Sequence, residues 1–147
     1  MNARRVRLQK LAKLRQKQLD ERVGEFGRAT EREQSARERA LLEYERHDGA
    51  VALRQGAAQA PVEGSTWAEA NEWLELCGLY RDAAGLALSR AETAREQARN
   101  QVLAARQALQ RIEVLDQRLK QHEDRANERK ERRLHDELAQ RSRKGSR

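Results

Sequence analysis

Proline, cysteine, isoleucine and aromatic residues are almost missing from this chain. Its 147 residues include one proline (Pro61), one cysteine (Cys77), one phenylalanine (Phe26) and one isoleucine (Ile112), and aromatic residues make up 3%. A thick globular core needs Leu, Ile, Val and Phe in quantity, so this chain is not expected to be built around one. A lone cysteine excludes an internal disulfide framework and reads as a thiol in a reducing compartment or as a small core residue. A lone proline leaves long stretches in which nothing interrupts a helix. No run approaches the ~18 apolar residues of a membrane span. The basic start MNARRVRLQKLAKL also lacks the continuous apolar segment of a secretory signal, so a cytoplasmic protein is expected.

What the chain does contain is charge. Charged residues make up 37% of it, and the rest is dominated by Ala, Leu and Gln, the mixture of a long helix or coiled coil. The formal charge of +7 is uneven: residues 1–22 carry +6 and residues 118–147 carry +5, leaving −4 for residues 23–117. If the two ends meet in space, one end of the molecule is a cationic tip.

The clearest pattern lies in the second half. Counting in sevens from Ala70 gives Cys77, Ala84, Ala91, Ala98, Ala105, Ile112, Leu119 and Ala126. Three residues after each of these come Trp73, Tyr80, Ala87, Ala94, Gln101, Ala108, Leu115, His122 and Arg129. Before Ala126 only Gln101 and His122 are polar, which makes this a sustained heptad seam that requires another helix. Its alanine centre lets two helix axes approach closely and leaves little room for a ligand cavity. Thr66-Trp67-Ala68-Glu69 fits a capping box at the start of this helix. Nothing then stops it before Gly145, although Gly78 and Gly85 inside it each cost about 1 kcal/mol against Ala and read as a bend or as close packing.

The first half supplies the partner. Leu8, Leu11, Leu19, Val23, Phe26, Ala36, Ala40, Leu41 and Tyr44 recur at threes and fours, and pairs such as Glu33 with Arg37 support the exposed face by tenths of a kcal/mol. Between the halves, a Gly- and Ala-rich stretch contains Pro61. The expected architecture is all-α, a long antiparallel two-helix coiled-coil hairpin in a single domain, residues 1–147, monomeric on its own. Its parts are a first helix at about 4–48, a loop at about 49–65, a second helix at about 66–142 and a tail at 143–147. At about 1.5 Å per residue the helices span ~68 Å and ~115 Å. Folding back at the loop sets Arg4 opposite roughly residues 114–119, and the second helix projects beyond the first. The projecting part includes ERKERRLHDELAQR (128–141), with nine formally charged side chains and only two large apolar ones, Leu134 and Leu138.

Catalysis is not expected. His47, His122 and His135 are scattered, with no partners at metal-ligand spacing. Lys144-Gly145-Ser146 is a lone fragment of a phosphate loop with no strand before it. No cofactor, metal or catalytic residue is assigned. The basic ends raise the possibility of nucleic acid, but acids interleave with the arginines at the tip and no aromatics are there to stack on bases. A generic coiled-coil scaffold and a basic nucleic-acid-binding helix pair therefore stay open beside an interaction role for the projecting helix.

Three stretches, VEGSTWAEANEWL (62–74), RIEVLDQRLKQHEDRANERKERR (111–133) and LHDELAQR (134–141), resemble the FliJ family of flagellar type III export. Leu134, Asp136, Glu137, Leu138, Gln140 and Arg141 match the family's terminal motif, and His135 departs from it. The YscO-type proteins of virulence secretion systems are similar in plan. The resemblance implies a non-enzymatic, stalk-like component peripherally associated with the inner-membrane export apparatus. Its partners would be the export ATPase FliI, the export gate protein FlhA and substrate chaperones. It assigns ATPase-ring contact to Arg4, Arg5, Arg7, Arg129, Arg132, Arg133, Leu134, Asp136, Glu137, Leu138 and Arg141. It assigns export-gate contact to Leu41, Tyr44, Trp73, Cys77 and Tyr80, of which the last three fall on the seam and could equally be core.

Overall fold

The computed structural model describes residues 2–59 and 63–146. Among them are two helices and no strand: α1, Ala3–Gln59, and α2, Gly64–Gly145. The helices pack against each other as an all-α hairpin, the class expected. By packing, the chain divides into two compact units, Glu21–Val102 and Met1–Asp20 with Leu103–Arg147. Each pairs a piece of α1 with a piece of α2.

In the unit Glu21–Val102 the pairing is antiparallel, because cross-helix partners move in opposite directions along the two helices. Arg22 meets Gln101, Glu33 meets Arg95, and His47 meets Arg81. The Ala70 heptad series is the seam here, since Ala70, Cys77 and Ala84 are buried and Ala91 and Ala98 half-buried. Its companion series is not the one expected. Trp73, Tyr80, Ala87, Ala94 and Gln101 are all exposed, and the covered positions stand one residue later: Leu74, Arg81, Leu88 and Val102 are buried or half-buried. The apolar reading favoured the alanines because the true series includes Arg81 and Arg95, and charged residues do not announce a seam. They are tolerated because α1 answers them. Arg95 reaches Glu33 Oε2 at 3.3 Å and lies 5.7 Å from the centre of the Phe26 ring. Arg81 Nη1 is 3.4 Å from both ring nitrogens of His47, so it sits over the imidazole face rather than in its plane.

On α1 the heptad Phe26, Glu33, Ala40, His47 faces α2, with Ala29, Ala36, Glu43 and Ala50 beside it. Leu41, Tyr44 and Val23, expected in the seam, are exposed. Glu33 pairs with Arg37 at 2.7 Å as the spacing predicts, but from a buried seam position and not from an exposed face. Glu43 is 1% exposed. Its Oε1 accepts from Arg39 at 3.1 Å and Arg46 at 3.2 Å, while its Oε2 has no partner.

The ends of the helices also differ from expectation. Residues 49–59, expected as loop, continue α1. Gly49 and Gly56 each cost about 1 kcal/mol in a helix, but the alanines around them are good helix formers and the segment has packing to offset the cost. Ala50 is buried, Val51 lies with Trp67 and Leu74, and Ala57 lies with Ala70 and Trp73. Pro61 lies outside the described residues, with Ala60 and Val62. At the other side α2 begins at Gly64, and the Glu63 carbonyl accepts from Thr66 N at 3.1 Å and Trp67 N at 3.3 Å. Thr66 is thus inside the first turn and is not the cap. Gly78 and Gly85 are sites of close packing: the His47 ring and the Tyr44 hydroxyl each come within 4.0 Å of where a Cβ would stand.

In the unit Met1–Asp20 with Leu103–Arg147, the first turns of α1 lie against residues 105–123. Arg5 Nε donates to Asp116 Oδ1 at 3.0 Å and Arg5 Nη1 to Glu123 Oε2 at 3.3 Å. Leu109 and Ile112 are buried, and Ala105, Ala108, Asp116, Leu119 and Glu123 are half-buried. Leu115, expected in the seam, is 49% exposed. From Asn127 to Ser146 every residue is exposed, although the helix continues to Gly145, past the expected end at 142.

This register separates two leucines of the same unit. Leu109→Ala removes a buried side chain and is expected to cost about 2 kcal/mol, the lower end for a core leucine. Leu115→Ala is expected to cost well under about 1 kcal/mol, because its side chain is already half in water. Urea unfolding followed by circular dichroism checks the pair. Equal losses would return Leu115 to the seam.

Candidate functional site

Most of the contact residues assigned from the sequence fall on two surfaces outside the seam, one in each unit. The first is the bare end of α2. Arg5 lies opposite Asp116 and Glu123, and α1 begins at Ala3, so nothing among the described residues covers α2 beyond Ala126. Leu134 and Leu138 are 59% and 61% exposed. At about 100° per residue they share one face with Arg141, while Arg129, Arg132 and Asp136 lie on the opposite face and Arg133 and Glu137 lie between. Arg143 and Lys144 stand in the last turn, where cations favour the carbonyl end of the helix. The segment carries charge all round with a single narrow apolar strip.

The arginines assigned beside this segment divide. Arg4 and Arg7 are exposed. Arg5 is not available: its side chain is 14% exposed, and the hydrogen bond it donates to Asp116, reinforced by Glu123, raises its pKa above the ordinary arginine value. It ties the start of α1 to α2 and is removed from the set of contact candidates. Glu123 Oε1 is buried beside it without a hydrogen-bond partner.

The second surface lies on α2 in the unit Glu21–Val102. Cys77 is 1% exposed and belongs to the seam, whereas Trp73 and Tyr80 are 45% and 49% exposed. The two aromatics therefore sit on a flank and Cys77 does not join them. Trp73, Leu76, Tyr80, Ala83 and Ala87 follow one another at three and four residues, forming a second apolar heptad stripe turned away from the seam. Leu79 and Leu86, both exposed, border it. Leu76, Leu79 and Leu86 were not read from the sequence as site residues; the signal was a second heptad offset from the first. Leu41 and Tyr44 are exposed too, but they do not complete the same patch. Tyr44 lies over Gly85, and at about 100° per residue Gly85 and Trp73 fall on opposite flanks of the α2 seam. The Trp73 side carries Leu53 and Ala57 of α1.

Neither surface has the build of a reaction centre. Among the described residues no group of three or more His, Cys, Asp or Glu could hold a metal ion. The hollows along both units are shallow and open, and no helix among the described residues is long and apolar enough to cross a membrane. What both surfaces offer is an exposed helical face with spaced apolar side chains, which is chemistry for binding another protein.

Burial assigns Cys77 to the interior. In the folded protein its thiol is expected to react with Ellman's reagent at least tenfold more slowly than in denaturant. A thiol that reacts at the same rate in both would restore Cys77 to the exposed surface.

A family model described as "Flagellar FliJ protein" matches residues 4–147. No curated protein and no solved structure matches the chain.

Proposed function

Because the chain belongs to the FliJ family, and so is a component of flagellar type III export, we propose that it is a non-catalytic stalk whose bare second-helix end enters the ring of the export ATPase. The observation that carries this reading is the uncovered run from Asn127 to Ser146, helical to Gly145, with Leu134 and Leu138 as its only large apolar side chains. A helix that buries nothing against its own chain can gain packing energy only from a partner. Its arginines suit an acidic lumen, where electrostatic attraction speeds association. Arg129, Arg132, Arg133, Leu134, Asp136, Glu137, Leu138 and Arg141 make the contact, joined by Arg4 and Arg7. Hydrolysis belongs to the ATPase.

The exposed stripe on α2 is the surface for the export gate, centred on Trp73, Leu76 and Tyr80. Leu41 and Tyr44, on the other flank, are at most an extension. Escort of substrate chaperones follows from family membership, with no residue assigned to it. The working location is the cytoplasmic side of the inner membrane, held there through the export apparatus.

Two experiments test the two contacts. Deleting residues 128–147, or substituting Leu134→Asp with Leu138→Asp, is expected to abolish stimulation of the export ATPase and of its ring assembly while helicity of the remainder is kept. Undiminished stimulation by the double variant refutes the ring contact. For the gate, Trp73→Ala with Tyr80→Ala is expected to weaken binding to the cytoplasmic part of the gate protein at least tenfold. Leu41→Ala is expected to weaken it less than threefold. The reverse ranking would move the contact to the Leu41 flank.

A further inference from the structure

A groove runs beside the seam in the unit formed by the first turns of α1 and residues 103–147. Leu8 and Leu11 of α1 and Leu115 and Leu119 of α2 form its floor, and Arg4 and Arg7 stand on its rim. It is an open hollow of about 360 Å³ and its lining is almost wholly apolar. On its α2 side the surface continues past Leu115 to Arg111, Val114 and Arg118. None of these leucines is fully covered; Leu11 is 38% and Leu115 49% exposed.

The charges around the groove are of one sign, for a reason visible in the sequence. Residues 3–19 contain no Asp or Glu, and none occurs between Glu96 and Glu113. The acids of residues 103–123 are Glu113, Asp116 and Glu123. Glu113 lies about 160° round the helix from Leu115, and Asp116 and Glu123 are both held by Arg5 on the seam. The carboxylates that could neutralise this flank are thus turned away or already paired. A greasy floor between arginine rims is complementary to one kind of occupant: a helix with leucine-type residues on one face and carboxylates flanking them.

We propose that this groove binds an acid-flanked amphipathic helix of a partner protein, laid along α1 and α2 as a third helix. The floor supplies knobs and holes for its apolar face, and Arg4 and Arg7 on one side with Arg111 and Arg118 on the other pair with its flanking carboxylates. A nucleic acid would leave the leucines without a partner. The concave floor also suits an inserted ridge better than a flat lipid surface. The site shares Arg4 and Arg7 with the proposed ring contact, but it is tested through Leu115, Arg111 and Arg118, which have no part in that contact.

The test uses the full chain and two labelled synthetic 18-residue helical peptides. Both carry leucine on one face; one has glutamate and the other lysine on the flanks. In fluorescence anisotropy the glutamate peptide is expected to bind saturably and the lysine peptide at least tenfold more weakly. Arg111→Glu with Arg118→Glu is expected to weaken the glutamate peptide at least tenfold and to improve the lysine peptide. Leu115→Ser is expected to weaken both, with circular dichroism confirming that the helices persist. The chain lacking 128–147 keeps the peptide site, so loss of ATPase stimulation there leaves this proposal standing. The proposal is overturned if neither peptide binds, or if both bind alike. It is equally overturned if sedimentation shows the chain dimerising through Leu115, or if vesicles of phosphatidylserine and phosphatidylcholine bind at the groove and the glutamate peptide does not.

Discussion

The Ala70 series, alanine or cysteine from Ala70 to Ala105, is too small and too uniform to fix the register of the two helices by itself, and the rest of the structure depends on how that problem is solved. Alanine brings helix axes together but buries little area, at about 25 cal/mol per Å² of apolar surface. A slide of one heptad along that series would replace alanine with alanine at most of its levels. Charged and aromatic groups at chosen seam positions remove that degeneracy. In the unit Glu21–Val102, Glu33 receives both Arg37 and Arg95, and Arg81 stacks over His47. In the other unit Arg5 bridges Asp116 and Glu123 across the helices. Individually such pairs contribute on the order of 1 kcal/mol or less where solvent reaches them. The larger effect of the cross-helix pairs is on alternatives, since a slipped register separates Glu33 from Arg95, His47 from Arg81, and Arg5 from Asp116 and Glu123.

Placing charge in the seam has a cost that remains visible. Glu43 is the largest side chain among the most deeply buried residues, and one of its oxygens is unpartnered. Glu123 beside Arg5 has the same defect. Two helices cannot enclose a carboxylate completely, so Arg39 and Arg46 reach back along α1 to satisfy Glu43 from one side only. The same thinness explains the apolar residues left outside. Each helix has a single covered stripe, and any leucine off that stripe remains in water whatever its neighbours are. Leu76, Leu79 and Leu86 on α2 are exposed for that reason, and their heptad spacing shows that the exposure is patterned and not scattered.

Much of this was legible from residue order. The absence of helix breakers gave two long helices, and their unequal lengths gave the uncovered end of α2. The Ala70 series is covered from Ala70 to Ala126. The companion series was misread by one residue because periodicity arguments reward apolar residues, and here the apolar choices stood beside true seam positions occupied by Arg81, Asp116 and Glu123. Cross-helix pairing is a tertiary fact, so no local pattern on α2 reveals that Arg95 will meet Glu33. Residues 49–59 were misread for the converse reason. Gly49 and Gly56 signal a loop locally, and the contacts of Ala50, Val51 and Ala57 with α2 outweigh that signal. The contact candidates followed the same division. Leu134 and Leu138 could be placed from length alone, whereas separating Cys77 from Trp73 and Tyr80 required the actual rotation of α2.

The charge asymmetry of the terminal unit is a consequence of the seam. Residues 3–19 are basic throughout, so a partner helix must present acids to them somewhere. α2 presents Asp116 and Glu123 on the seam line, both directed to Arg5. Using the acids there to hold the helices together leaves Arg4, Arg7, Arg111 and Arg118 on the flank with no acid among the groove-lining residues. The interaction that fixes the register at this end is therefore the same one that strips the neighbouring surface of negative charge. A seam held by neutral residues would have left those carboxylates free to neutralise the flank. Cohesion inside the unit and attraction for something acidic outside it draw on one small set of side chains, so the two properties cannot be altered independently by changing Arg5, Asp116 or Glu123. They can be separated only on the flank itself.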